Sequence, residues 1–199
     1  MAQGKIQLTD EIKVSANAAS QDPSKLGLAR GENITLELAI QALVVKSAND
    51  VAVAVAEHIG GTESKFARLM TQRARAIGMR STTFTNASGL PDTRQRTTAR
   101  DLAVLGRSLM RDFPQYYDYF RLTSFVYDGK TIKTHNDVLT DYDGANGIKT
   151  GYTRVSGFNL VTSAERDGRR IIAVILGGES ARVRDAAMRS MLDQVFRKV

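Results

Sequence analysis

The chain has 199 residues, enough for one domain with a substantial core, and its 42% hydrophobic and 25% charged content is that of an ordinary globular protein. It contains no cysteine, which excludes disulfides, thiolate catalysis and thiolate metal sites. The net charge of +7 favours anionic surroundings, whether nucleic acid, anionic lipid or acidic cell-wall polymer, but the arginines are scattered from Arg73 to Arg111 and no nucleic-acid motif accompanies them. No stretch is long and apolar enough to span a bilayer. Residues 1–5 lead straight into polar sequence, without a signal-peptide pattern.

Taken in order, residues 5–34 read as short strands and loops, with 15–31 an irregular excursion rich in Ala, Ser, Asn and Gly. Thr35 can N-cap a helix that starts at Leu36, with Glu37 in its first turn and Leu36, Ala39, Ile40 and Leu43 on one apolar face. The pattern breaks at Lys46-Ser47-Ala48-Asn49-Asp50 and resumes with Val51, Val53, Val55 and Ile59. Ser, Asn and Asp compete for backbone hydrogen bonds, so a helix-to-helix turn here pushes polar groups toward a cleft. Gly60-Gly61 ends that unit. Thr62 caps the next helix, with Phe66, Leu69, Met70, Ala74 and Ile77 at helical spacing and Gly78 as its stop.

Residues 81–95 read as a loop. Thr98 and Asp101 fit a capping box opening a helix through Leu102, Leu105, Leu109 and Met110, closed before Pro114. Residues 116–120 form a short aromatic turn. Asp128-Gly129 marks a small hairpin between 125–127 and 131–133. A second Asp-Gly pair, Asp167-Gly168, joins two longer apolar segments. In the first, Phe158, Leu160, Thr162 and Ala164 alternate with Asn159, Val161 and Ser163, which suggests cover on both faces. The second, 171–176, is a continuous apolar run, as expected of a strand buried on both sides. Val183, Ala187, Met191, Leu192, Val195 and Phe196 then recur at helical spacing, giving a last helix packed on the sheet.

Just before the central hairpin stands Lys149-Thr150-Gly151. A strand edge with an ammonium, a hydroxyl and free N–H groups suits an extended anionic substrate, and Gly147 and Gly151 allow close approach. The same tripeptide also fits an ordinary solvated strand end. A phosphate loop is excluded, because Ile148 separates Gly147 from Lys149 and the glycine-rich spacing is absent. His58 and His135 lack a second ligand at metal spacing and are read as structural, with no metal and no cofactor.

Ser47-Ala48-Asn49 followed by Lys149-Thr150-Gly151 resembles the second and third motifs of penicillin-binding proteins and serine β-lactamases. The flanks KSANDVAVAVAEHIGG, GMRSTTFTNASGLPD, TTARDLAVLGRSLMRD and NGIKTGYTRVSGFNLV narrow this. They resemble the D-alanyl-D-alanine carboxypeptidases of low molecular weight, over nearly the whole chain. The resemblance implies an α/β (α+β) β-lactamase/transpeptidase-like fold, an antiparallel sheet flanked by helices, with residues 1–199 as a single catalytic domain.

The resemblance also implies roles. Ser47 would relay protons toward the leaving group and Asn49 would bind the substrate amide. Lys149 would set the electrostatic field. Thr150, beside Gly151, would bind the terminal carboxylate, and the N–H of Tyr152 would supply one oxyanion donor. Arg184 assists carboxylate binding on one reading and is a solvated helix charge on the other.

The family's nucleophilic serine lies in Ser-x-x-Lys before the Ser-x-Asn motif, and none of the serines here has a lysine three positions on. The expectation is therefore an N-terminally truncated domain, without the first strands, the nucleophile helix, the secretion signal and any membrane anchor. Such a chain would be inactive as it stands. Its implied partner is a peptidoglycan stem peptide in the periplasm or cell envelope, with β-lactams as ligands of the full-length form and no nucleic acid. The rival reading is a pseudoenzyme that holds D-Ala-ended peptides. Without the nucleophile helix, the inner faces of Leu36, Ile40, Leu43, Val51 and Val55, and one face of 171–176, are expected to lose a partner.

Overall fold

The computed structural model of the chain describes residues 6–197; the opening stretch at 1–5 lies outside the described residues. The helical half begins with β1 (Glu11–Lys13), α1 (Ala16–Ala19) and β2 (Asn33–Thr35), β1 and β2 pairing antiparallel with Ile12 opposite Ile34. Residues 20–31 between them carry no regular structure. Thr35 caps α2 (Leu36–Gln41) by accepting from Leu38 N. One π-turn, Ala42–Lys46, follows and ends at Ser47. α3 (Asn49–Gly60) and α4 (Glu63–Ala76) complete this half.

Its core is Ile12, Val14, Leu28, Ile34, Leu36, Val45, Val51 and Val53, capped by Phe125 from the small hairpin. Leu36 and Val51 are thus fully buried, against the expectation that they lose a partner. The β1–β2 pair and Phe125 cover them, and Ile40, Leu43 and Val55 pack partly buried on the same cluster. What stays open is an apolar groove of about 320 Å³ nearby, with Ile40, Val44, Leu109 and Phe113 in its walls. In α4 the buried positions are Ala67 and Ala74, and Leu69 is left largely exposed.

α5 (Ala99–Asp112) is capped by the Thr98 hydroxyl, which accepts from Asp101 N. The Asp101 carboxylate does not complete the expected box. It turns to the 81–95 loop and accepts from Ser81 N (2.8 Å) and Thr82 Oγ1 (2.6 Å). The aromatic turn is a longer 3₁₀ helix, Pro114–Arg121. β3 (Ser124–Tyr127) and β4 (Lys130–Lys133) form the small hairpin, and α6 (Asp137–Asp141) leads into the main sheet.

That sheet is β5 (Ala145–Thr153), β6 (Gly157–Arg166) and β7 (Arg169–Gly178), antiparallel in the order β5-β6-β7. Asp167 and Gly168 both take positive φ (50° and 72°), the conformation a two-residue hairpin needs. α7 (Ala181–Arg197) covers one face through Met188, Leu192 and Phe196 against Leu160, Ala164 and Ala173. α5 and the 3₁₀ helix cover the other, through Met110 and Tyr117 against Ile148, Val161 and Ile172. α5 comes closest at Gly106, where a Cβ would stand 2.9 Å from Ile148 Cδ1. β6, in the centre, is covered on both faces as its alternation suggests.

Two expectations about this half fail. The 171–176 run is only partly buried apart from Ala173, and Leu176 is exposed. β7 is an edge strand, so its apolar residues lean on helix flanks rather than lying inside a sheet. The buried stripe of α7 is also displaced from the predicted one. It runs Arg184, Asp185, Met188, Leu192 and Phe196, while Val183, Met191 and Val195 are exposed. A charged pair occupies the first turn of the buried face, and hydrophobic periodicity cannot see it.

Candidate active site

The break after α2 places the first motif. The π-turn leaves Ser47 in the left-handed region (φ 57°, ψ 45°), and α3 starts at Asn49. An L-residue held there is strained and needs its surroundings to fix it. Asn49 N donates to Ser24 O (2.7 Å), Asn49 Nδ2 to Asp22 O (2.9 Å) and Ser24 Oγ to Lys46 O (3.0 Å).

The sheet places the second motif. Lys149 pairs with Val161, Thr150 with Leu160 and Gly151 with Asn159 in the β5–β6 register. The two bracketing glycines do different work. A Cβ on Gly147 would meet Tyr117 Oη at 3.0 Å and Phe120 Cβ at 3.2 Å, so this glycine admits the 3₁₀ helix. A Cβ on Gly151 would meet nothing within 4 Å, so this one faces open space.

The motifs meet. Lys149 Nζ donates to Ser47 Oγ, although the two residues are 102 positions apart, and also to Thr150 O at 2.9 Å. They share a cleft of about 610 Å³ with Asn49, Thr150, Gly151, Tyr152 and Arg184, so every residue given a role by the resemblance lines one cavity. Burial pushes the Lys149 ammonium down to about 8 from its ordinary 10.5, and the nearby Arg184 guanidinium pushes the same way. Lys149 as a residue keeps some exposure to the cleft; its charged end is the desolvated part.

Arg184 is not a solvated helix charge. Its side chain is 3% exposed, is paired with Asp185 at 2.8 Å, and reaches Asn159 O at 3.4 Å behind β6. The Asp185 carboxylate holds it in place while its positive field adds to that of Lys149. Tyr152 lies exposed at the mouth, its ring 4.3 Å from that of Phe158.

Three further parts of the chain complete the wall. Pro23 and Ser24 come from the irregular excursion, Ala87 to Leu90 from the 81–95 loop, and Ser156 and Asn159 from the β5–β6 turn and the start of β6. The loop is held by its own hydrogen bonds and one to α4: Gln95 Oε1 accepts from Thr85 N, Asn86 Nδ2 donates to Leu90 O, and Glu63 accepts from Ala87 N. The Asn86-Ala87-Ser88-Gly89 run was the available signal. His135 also lines the cleft, and His58 does not. Among the described residues no group of three or more His, Cys, Asp or Glu is gathered in metal-binding proximity.

The family model for D-alanyl-D-alanine carboxypeptidase matches residues 1–180. The chain belongs to that family. It is 33% identical over 200 residues to the D-alanyl-D-alanine carboxypeptidase DacF of Bacillus subtilis, covering 97% of this chain and 51% of DacF. To DacA of Escherichia coli it is 32% identical over 204 residues, covering 99% of this chain and 51% of DacA. The chain thus spans about half the length of the curated relatives it matches.

Among solved structures, penicillin binding protein 5 of Haemophilus influenzae superimposes with a TM-score of 0.94 at 31% identity, over 98% of this chain and 58% of that one. DacD of Francisella tularensis gives 0.91 at 31% identity, over 96% and 59%. The fold is the α/β fold of the penicillin-binding proteins, with an antiparallel sheet between helices. No helix among the described residues is long and apolar enough to cross a membrane.

Proposed function

We propose that this chain builds the substrate cleft of a D-Ala-D-Ala carboxypeptidase acting on peptidoglycan stem peptides in the cell envelope. The observation that carries this reading is the meeting of Lys149 and Ser47 across the cleft, with Thr150 beside them. A D-Ala-D-Ala end is an extended peptide with a terminal carboxylate. In this reading the carboxylate lies against Thr150, in the field of Lys149 and Arg184. The substrate amide meets Asn49, and the peptide runs along the open edge of β5 past Gly151. The N–H of Tyr152 is one donor to a developing oxyanion, and Ser47 passes a proton between Lys149 and the leaving group.

Acyl transfer also needs a nucleophile with a base beside it. No serine of these 199 residues stands in Ser-x-x-Lys. The 199-residue chain by itself therefore holds the peptide without opening it. β-Lactams, such as the penicillin after which penicillin binding protein 5 of Haemophilus influenzae is named, are ligands of a form that carries the nucleophile. That same absence favours a second reading, a pseudoenzyme serving as a binding module for D-Ala-ended peptides. An in-frame Ser-x-x-Lys upstream of Met1 in the gene favours the first; its lack favours the second.

The test has two arms on the same protein. Incubation with a fluorescent penicillin followed by mass spectrometry is expected to give no adduct. Titration with an N-acylated D-Ala-D-Ala peptide is expected to shift NMR signals of Asn49, Thr150 and Gly151. A stoichiometric acyl-serine overturns the first statement, and unmoved signals overturn the second.

A further inference from the structure

The first turn of α3 carries a charge that the chemistry above does not use. Asp50 is wholly buried and makes no salt bridge among the described residues. Backbone satisfies it instead. Oδ1 accepts from Leu26 N (3.0 Å) and Val51 N (2.9 Å), and Oδ2 from Gly27 N (2.8 Å) and Leu28 N (3.1 Å). A desolvated carboxylate without a counter-ion persists only when hydrogen-bonded to this extent.

One of these bonds is local, to the N–H of the next residue, Val51, in the first turn of the helix. The others leave the helix for residues 22 to 24 positions upstream, in the stretch without regular structure. Asn49, the adjacent residue, grips the same segment a few residues earlier, through Ser24 O and Asp22 O. With Nδ2 engaged by Asp22, the carboxamide oxygen of Asn49 is the acceptor left over, and Asn49 lines the cleft beside Pro23 and Ser24.

We propose that Asp50 is a positioning residue: by fixing residues 22–28 it holds the Asp22 carbonyl where it turns the Asn49 carboxamide oxygen toward a substrate amide. The proposal rests on the peptide-binding reading above. Asp50 touches no substrate. Its effect passes through one hydrogen bond to the side chain that does.

The test compares Asp50→Asn, Asn49→Ala and the double variant in the full chain, with Val53→Ala, a fully buried change on the same helix, as a control for lost stability. Asp50→Asn keeps the shape and turns an NH₂ group toward N–H donors. It is expected to move the Asn49 Nδ2 proton signals and to speed amide exchange at Leu26, Gly27 and Leu28. It should weaken binding of an N-acylated D-Ala-D-Ala peptide roughly tenfold or more, the usual scale for a lost charged hydrogen-bond network. The double variant should bind no more weakly than Asn49→Ala alone, and Val53→Ala should lower the melting temperature without moving the Asn49 signals.

Unmoved Asn49 signals in Asp50→Asn, or losses that add in the double variant, overturn the proposal. If the parent chain binds no peptide, the functional reading fails, and the Asn49 signals still decide whether Asp50 positions that side chain. Should Asp50→Asn fail to fold, Asp50→Glu retains the charge one methylene too far and is expected to move the same signals; unmoved signals there overturn the proposal equally.

Discussion

Ser47-Ala48-Asn49 and Lys149-Thr150-Gly151 reach one cleft by different means. The lysine motif stands in a ladder of paired residues from Ala145 to Thr153, and several strand bonds fix it at once. The serine motif stands in a gap between helices, on a left-handed residue, and a few bonds to residues 22–28 hold it. A ladder is redundant and a gap is not. Single substitutions on the sheet side should therefore change charge and chemistry while leaving geometry intact. On the turn side they should change geometry.

The largest expected effect is an exception that sharpens this rule. Arg184 and Asp185 are a buried ion pair beneath the sheet motif. Arg184→Leu leaves the Asp185 carboxylate buried and unpaired, which costs about 3–5 kcal/mol. Chemical denaturation should show that loss. A change below about 1 kcal/mol, the range of an exposed pair, would place the charge in solvent.

Next comes a pure charge effect. In a fusion to a relative's Ser-x-x-Lys segment, D-Ala release should appear, and Lys149→Ala should slow acylation roughly 10²–10³-fold, the scale of one lost electrostatic donor. Backbone chemical shifts of β5 and β6 should stay in place. Near-parental turnover in that variant would remove Lys149 from the machinery.

The turn side gives the opposite signature. Ser47→Gly removes the left-handed strain, worth about 1–2 kcal/mol, and removes the Lys149 contact together with it. Its melting temperature should hold or rise while peptide affinity falls. A drop in both would mean that the Ser47–Lys149 bond, not the backbone, dominates the turn's stability. The smallest effect is expected from Thr150→Val, which keeps the strand shape. It should weaken binding of the free carboxylate several-fold, within the range of about 0.5–1.5 kcal/mol for one neutral hydrogen bond, and leave binding of the corresponding amide unchanged.

The same contrast decides what the sequence made legible. The ladder side could be read almost directly: Asp167-Gly168 demands a tight hairpin, and the alternation of 158–164 sets the central strand. The helix break at Ser47 was legible too, because three polar residues interrupt an apolar pattern. Its supports were not. Asp50 reaches Leu26, Gly27 and Leu28 through backbone groups, and backbone groups leave no side-chain signature at the receiving end. The α7 stripe misled for a related reason. Arg184 and Asp185 look like solvent-facing charges until their mutual pairing in the core is known. The 171–176 run looked doubly buried, since an edge strand leaning on two helices reads like an interior one.

The most direct test of the shared cleft is the pH dependence of peptide binding. Lys149 is held down to about 8, so its positive charge is present below that pH and lost above it. The unfolded chain, with the ordinary 10.5, holds the proton more tightly, so between about 8 and 10.5 this group makes folding more favourable as pH rises. Binding of an anion should run the other way. Calorimetric titration of an N-acylated D-Ala-D-Ala peptide and of its C-terminal amide, below and above pH 8, reads the binding effect by itself. The acid should bind more tightly than the amide at the lower pH, lose most of that advantage above about 8, and show no such step near pH 8 with Lys149→Met. Equal affinities for acid and amide at the lower pH, or a step near pH 8 that survives in Lys149→Met, would contradict the assignment of this cleft to a terminal carboxylate.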